Sequence, residues 1–181
     1  MSFGEKTISS STKFEGRVVD LKVDQVELIN GKIATREVVE HPGGVAIVPL
    51  DENNNVLMVR QFRYPFKKEL LEIPVGKFEK GEDPDECAVR ELSEETGCSA
   101  GKMISLGKMY SSPGFCSEVL HVYLAMDLSY GKMHLDEDEF LNVERVPLSK
   151  LIDMIMANEL PDAKSVIGIL KTKLYLEERY R

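Results

Sequence analysis

The chain has few cysteines, no excess of basic charge and no long apolar run. Its three cysteines form no Cys-x-x-Cys pair, and the three histidines lack the spacing of a zinc site. A formal net charge of −8 over 181 residues disfavours non-specific binding to nucleic acid or to an anionic membrane. No segment approaches the ~20 apolar residues of a membrane span, and the polar residues 1–16 lack the apolar core of a signal peptide. We therefore expect a cytoplasmic protein without a nucleic-acid or membrane partner.

The N-terminal part of the chain has the pattern of a small antiparallel sheet. Apolar and polar residues alternate over 17–29 and again over 32–39, and Asn30-Gly31 between them is a strong hairpin signal. The break at 41–44, His-Pro-Gly-Gly, is typical of a boundary. The sequence therefore predicts two domains, an antiparallel sheet over 1–41 and a larger domain over 42–181.

The larger domain alternates strand and helix patterns. Apolar runs or alternation predict strands over 45–48, 56–63, 102–108, 119–127 and 139–146, and apolar residues at helical spacing predict helices over 148–158 and 162–178. Strands on both sides of one central helix, followed by a helical C-terminus, indicate a mixed sheet packed between helices. The predicted fold class is therefore α/β.

The central helix has clear end signals. Asp83 is suited to cap its N-terminus, Pro84 fits its first position, and Gly97 supplies a left-handed stop. At about 100° per residue, Glu91 and Glu95 fall beside each other at the edge of the apolar stripe, where a solvated helix would not place carboxylates. These two acids are therefore candidate functional residues.

Three acids of this helix, Glu91, Glu94 and Glu95, are neighbours within one turn. Like charges packed in this way destabilise a helix unless a cation lies between them, and hard oxygen ligands suit Mg²⁺ or Mn²⁺ better than zinc. The helix pattern alone leaves an alternative open, in which this is an acidic surface helix with Arg90 paired to Glu86 and Glu94.

The segment 76–98 decides in favour of the metal. It resembles the Nudix box, G-x5-E-x7-R-E-U-x-E-E-x-G-U with U a bulky aliphatic residue, at these positions: Gly76, Glu82, Arg90, Glu91, Leu92, Glu94, Glu95 and Gly97. Only Cys98 departs from it, with a smaller apolar residue at the last position. The resemblance implies an α/β/α sandwich and an enzyme that hydrolyses a nucleoside diphosphate linked to another group.

The resemblance also implies roles for individual residues. Glu91 and Glu95 would hold Mg²⁺ or Mn²⁺, with Glu94 assisting and the backbone carbonyl of Val75 as a further ligand. Arg90 is expected to act in catalysis by orienting these carboxylates rather than by touching the substrate.

Residues outside the box are similar to the ADP-ribose pyrophosphatase subfamily. Pro113 matches its marker proline, Arg36 and Glu37 match the segment that reaches the adenine, and Arg63 matches an arginine near the substrate phosphates. The resemblance implies Mg²⁺-dependent hydrolysis of ADP-ribose to AMP and ribose 5-phosphate. The alternatives are another nucleotide sugar, such as ADP-glucose or GDP-mannose, and a non-catalytic ADP-ribose-sensing module. The intact box and the absence of a fused basic domain disfavour the sensor.

Two further expectations follow from the resemblance. The acidic segment 135–140 is expected to supply the general base, for which Glu137 is the first choice, while Glu139 completes the metal shell. The alternatives are exchanged roles or a solvated acidic turn. The small N-terminal sheet needs a partner surface, so a homodimer is expected, with Arg36 and Glu37 serving the partner's site.

Overall fold

The computed structural model describes residues 3–135 and 139–179. These residues form two compact units. The first, called the N-terminal unit, contains the described part of 1–43 together with 110–119. The second, called the central unit, contains the described parts of 44–109 and 120–181.

The N-terminal unit is an antiparallel sheet of three strands, β1 (Lys6–Glu15), β2 (Asp20–Glu27) and β3 (Ile33–Glu40), in that order. The predicted turn is present, since the Gly31 N–H donates to the Leu28 carbonyl at 2.9 Å. Strand β1 was not predicted. All ten of its residues are exposed and it is rich in serine and threonine, so it carries no apolar alternation that would mark it.

The segment 110–119 packs along the end of β3. The Val39 N–H donates to the Phe115 carbonyl at 2.8 Å, and the Ser117 N–H donates to the Val39 carbonyl at 2.9 Å. These bonds form a parallel bridge between Val39 and Cys116. The loop that contains Pro113 is therefore part of the N-terminal unit.

The central unit contains two sheets and three helices. A four-stranded mixed sheet has the order β7-β4-β9-β8, in which β4 and β9 are parallel, and a three-stranded antiparallel sheet has the order β10-β5-β6. The strands are β4 (Gly44–Pro49), β5 (Asn55–Arg63), β6 (Lys68–Glu72), β7 (Val75–Lys77), β8 (Cys98–Tyr110), β9 (Val119–Tyr130) and β10 (Leu141–Pro147). The helices are α1 (Pro84–Thr96), α2 (Leu148–Met156) and α3 (Ala163–Arg179).

Strand β4 separates two hydrophobic cores. Because successive side chains of a strand point to opposite faces, Val45 and Ile47 pack with the α1 residues on one face, and Ala46 and Val48 pack with residues of α2 and α3 on the other. Helices therefore cover both faces of the mixed sheet, which confirms the predicted α/β sandwich with a separate antiparallel N-terminal sheet. In the described part of the chain, none of the helices has the length and apolar character needed to cross a membrane.

Helix α1 begins and ends as its sequence predicts. The Asp83 carboxylate accepts a hydrogen bond from the Asp85 N–H at 2.9 Å. Gly97 has φ of 68°, in the left-handed region, and its N–H donates to the Ser93 carbonyl at 2.9 Å. The cap and the stop fix which helical residues face the sheet.

Candidate active site

The box glycine lies directly against the box helix. A Cβ atom built on Gly76 would overlap the carboxylate of Glu91, and its nearest contacts are all atoms of that side chain. Only a residue without a side chain allows β7 to approach α1 this closely. The absence of a side chain at Gly76 therefore allows β7 to lie directly against Glu91, the first candidate metal ligand.

Glu91 and Glu95 are buried, with only 8% and 2% of their surface exposed. Burial raises the pKa of Glu95 to about 8, the N–H of Val75 opposes this with a hydrogen bond to Oε2 at 3.0 Å, and the negative charge of Glu91 adds to the rise. Burial also raises the pKa of Glu91, although its bond to Arg90 opposes the change. The alternative of a solvated acidic helix is therefore wrong for these two positions.

Arg90 hydrogen-bonds to several of the box carboxylates. Its Nη1 donates to Glu91 Oε1 at 2.8 Å and to Glu94 Oε2 at 2.9 Å, and its Nε donates to Glu82 Oε1 at 2.7 Å. The hydrogen bond from Arg90 lowers the pKa of Glu82 to about 2. One guanidinium thus links three acids of the box, which is the contact expected of an orienting residue.

The donor chemistry around α1 fits a hard divalent cation. Glu91 and Glu95 provide carboxylate oxygens that are largely shielded from solvent. Within residues 3–135 and 139–179, Glu91 is ion-paired with Arg90, and Glu95 forms no ion pair. Among the same residues, no three His, Cys, Asp or Glu side chains form a ready-made metal cage. These residues could supply part of a coordination shell that water and substrate oxygens would complete, as is usual for Mg²⁺.

The residues just before the acidic segment are hydrogen-bonded to the C-terminal part of the same helix. The Gly131 N–H donates to the Gly97 carbonyl at 2.6 Å, and the His134 N–H donates to the Glu94 carbonyl at 3.1 Å. Glu139 lies just before β10, which begins at Leu141 rather than at residue 139 as predicted. Its charge contributes to the raised pKa values of Glu91 and Glu95, as expected for an acid near the box. The candidate base Glu137 lies outside the described residues.

Arg63 belongs to an ion-pair cluster that the sequence did not predict. Glu72, only 1% exposed, accepts hydrogen bonds from Arg63 Nη2 at 2.5 Å and from Lys164 Nζ at 2.8 Å. Burial alone would raise the pKa of Glu72, but the two cations outweigh it, and the pKa of this carboxyl lies below its usual range. Lys164 also donates to Asp162 Oδ1 at 2.8 Å.

The signals for this cluster are weak in the sequence. Glu72 is a charged residue inside the apolar run that leads to the box. A charge in a segment expected to be buried indicates that it has a buried ion-pair partner. Lys164 is 92 positions away, in the first turn of a helix where lysine is ordinary, and nothing local marks it.

The other predicted substrate-binding residues lie in the N-terminal unit. Arg36, on β3, donates from Nε to Glu5 Oε2 at 2.9 Å, and Glu37 is paired with Val23 in the strand register. Pro113 lies in the segment 110–119. The same unit contains a pocket of about 460 Å³ with the following lining: Gly16, Arg17, Val18, Val19, Asp20, Glu40, His41, Pro42 and Ser117.

Comparison with known proteins agrees with this geometry. Residues 40–167 match the NUDIX domain, and residues 5–39 match the nucleoside diphosphate sugar hydrolase N-terminal domain. The chain is 46% identical to an ADP-ribose pyrophosphatase of Bacillus subtilis over 93% of its own length and 92% of the relative's. It is 45% identical to a methanol dehydrogenase activator of Bacillus methanolicus, covering 92% of this chain and 91% of that one.

A solved structure, the crystal structure of an ADP compounds hydrolase, has the same fold. The two superpose with a TM-score of 0.87 over 99% of this chain and 98% of that one, at 24% identity. Glu91 and Glu95 are buried, and Glu91 lies directly against Gly76. The sequence matches the NUDIX domain over most of its length. Together these findings identify the family. This chain belongs to the Nudix family.

Proposed function

We propose that the protein hydrolyses the pyrophosphate bond of ADP-ribose to AMP and ribose 5-phosphate, using Mg²⁺ or Mn²⁺. In this reaction water adds to one phosphorus atom, the bond from that phosphorus to the bridging oxygen breaks, and each product leaves with a phosphate. The observation that carries the proposal is the pair of buried carboxylates on one face of α1, of which Glu91 is paired with Arg90 and Glu95 has no ion pair within residues 3–135 and 139–179. The name of the Bacillus subtilis relative supports the substrate.

The metal ligands would be Glu91 and Glu95, with Glu94 and the Val75 carbonyl beside them. When bound, a divalent ion neutralises phosphate oxygens and makes a water molecule more acidic. The chain's own contribution is orientation. Arg90 donates hydrogen bonds to Glu91 and Glu94, and the Val75 N–H donates a hydrogen bond to Glu95.

Arg63 is the proposed phosphate-binding residue of the central unit. Its planar fork can donate two parallel hydrogen bonds to phosphate oxygens. Arg36 and Glu37 of the N-terminal unit are proposed to reach the adenine side of the substrate in the partner's site of a homodimer, and Pro113 is a further proposed substrate-binding residue.

The N-terminal sheet is also the proposed dimer contact. Strand β1 is exposed along its whole length and includes Ile8 and Phe14, which are more than half exposed. Such a sheet is marginal unless another surface covers it. We expect sedimentation at assay concentration to show a homodimer, and an active monomer would contradict this. The three free thiols are compatible with a protein of the reducing cytoplasm.

Glu137 is the proposed general base and Glu139 a proposed metal ligand. Glu137→Gln should lower kcat by roughly 10²–10⁴, with KM and metal affinity little changed, because the loss of a base removes only the proton transfer. If Glu137→Gln weakens metal binding and Glu139→Gln affects the rate alone, the two roles are exchanged. If neither substitution affects the rate, the segment is a solvated turn.

The substrate is tested by assaying ADP-ribose, ADP-glucose and GDP-mannose with Mg²⁺ and measuring release of nucleoside monophosphate. We expect ADP-ribose to have the highest kcat/KM. A preference for another nucleotide sugar would move the proposal to that substrate. ADP-ribose binding without hydrolysis would favour a sensor instead.

A further inference from the structure

The buried carboxylate of Glu72 is shared by two cations on different elements. Arg63, at the end of β5, donates to it from Nε at 3.0 Å and from Nη2 at 2.5 Å. Lys164, in the first turn of α3, donates to the same Oε2 atom at 2.8 Å. A carboxylate this deeply buried requires its partners to stay in place, so the position of each cation depends on the other.

The first turn of α3 is itself held firmly. Asp162 accepts hydrogen bonds from the N–H of Ser165 at 3.0 Å and from its hydroxyl at 2.6 Å. The Ser165 hydroxyl oxygen accepts a hydrogen bond from the Ile73 N–H at 2.9 Å, two residues before Val75. A Cβ on Gly168 would come within 3.0 Å of Val48 and Ile73 side chains, so α3 packs closely against the sheet there. Lys164 therefore approaches Glu72 from a rigid base.

Arg63 has donor groups left over for a ligand. Its described hydrogen bonds use Nε and Nη2, both on Glu72, and none within the described residues uses Nη1. Its charge also acts on Glu95, so it lies near the box carboxylates. An arginine clamped along one edge offers its other edge in a fixed direction, which lowers the cost of ordering it on a phosphate.

We propose that Lys164 is a positioning residue for substrate binding, which acts through the shared Glu72 carboxylate to hold Arg63 in the orientation that receives a phosphate. The inference rests on the proposed role of Arg63 and adds a residue that does not touch the substrate. Without Lys164, Glu72 would have Arg63 as its one remaining side-chain partner among the described residues, and the guanidinium would turn further onto the carboxylate.

The test is a double-mutant cycle on the full-length protein, with ADP-ribose and saturating Mg²⁺. Lys164→Met removes the charge and keeps the length of the side chain. It should raise KM roughly 5- to 10-fold, within the range of coupling between members of one ion-pair network, with kcat nearly unchanged. In an Arg63→Met background the same substitution should have almost no further effect. Lys164→Arg should restore most of the binding, and Lys173→Met, on the same helix but paired with Glu177, should match the parent.

Equal effects of Lys164→Met with and without Arg63 would overturn the proposal, and so would a loss of melting temperature without a change in KM. If Lys164→Met does not fold, Lys164→Gln, which keeps a hydrogen-bond donor, is used in the same cycle. An Arg63→Met variant with the parent's KM would instead refute the phosphate-binding role of Arg63, and the inference would fail with it. If another nucleotide sugar is the better substrate, the double-mutant cycle is run with that compound. The coupling between Lys164 and Arg63 in KM then tests the inference independently of the substrate's identity.

Discussion

Two buried carboxyl groups have opposite surroundings: that of Glu72, before the loop that leads into α1, and that of Glu95, on α1 itself. Glu72, before the loop, has Arg63 and Lys164 as partners, and its pKa lies below the usual range. Glu95, after it, has a hydrogen bond from a backbone N–H and the negative charges of Glu91 and Glu139 nearby, and its pKa is raised to about 8. Both side chains are at most 2% exposed.

We propose that Glu72 stabilises the fold and that Glu95 serves a ligand. A buried charge is tolerated when partners satisfy it and costly when they do not. The fold neutralises Glu72 with two cations and leaves Glu95 beside other acids, and we propose that the second place receives a cation from solution. Perturbed carboxylates of this kind cluster at functional sites.

The largest expected effect is on stability, from Glu72→Gln. The substitution leaves Arg63 and Lys164 without their shared anion, and we expect the free energy of unfolding to fall by about 3 kcal/mol, the lower end of the range for breaking a buried pair. Urea unfolding of the metal-free protein measures it. Glu95→Gln, made in parallel, should cost far less or stabilise the protein, and an equal loss in both variants would remove the contrast between the two groups.

Glu95→Gln should instead affect catalysis. The substitution replaces an anionic ligand by a neutral amide of the same shape. Loss of a residue that only orients a ligand lowers activity by roughly 10–100-fold, and we expect turnover of Glu95→Gln to fall by more than this. The matched control is Glu86→Gln, an exposed acid of the same helix, which should turn over like the parent. Parent-like turnover of Glu95→Gln at saturating Mg²⁺ would contradict the metal-site assignment.

Gly76→Ala tests the close approach of loop and helix. The new methyl group would occupy the place of the Glu91 carboxylate, so this side chain must move. We expect Mg²⁺ affinity and kcat/KM to fall by roughly 10-fold, as for a disturbed ligand orientation. Mg²⁺ titration of activity measures both, and an unchanged midpoint would show that Glu91 is not a ligand.

The smallest effect concerns acid stability. Because the pKa of Glu72 is lower in the folded protein than its ordinary value of 4.5, its stabilising contribution is complete above about pH 4.5 and is lost as the pH falls through the folded value. The parent should therefore lose stability below pH 4.5 more steeply than Glu72→Gln does. Unfolding curves between pH 6 and pH 3, with parallel slopes for the two proteins, would contradict the lowered pKa.

The sequence predicted local features well and distant contacts poorly. The ends of α1 could be predicted from Asp83 and Gly97, and the burial of Glu91 and Glu95 could be predicted from helix geometry. Each of these features depends on residues that are close together in the sequence. Strand β1 was missed because an exposed Ser-Thr strand has no apolar period. The pairing of Lys164 with Glu72 was missed because it depends on how α3 packs against β6.

The effect of Mg²⁺ on thermal unfolding, measured without substrate, is the most direct test of the proposed metal site. A ligand at about 100 times its Kd stabilises a folded protein by about 2.7 kcal/mol. Mg²⁺ should raise the melting temperature of the parent and of Glu72→Gln by similar amounts, and Glu95→Gln should lose most of this rise. An equal Mg²⁺-induced rise in Glu95→Gln would contradict the claim that the buried carboxylates of α1 form the metal site.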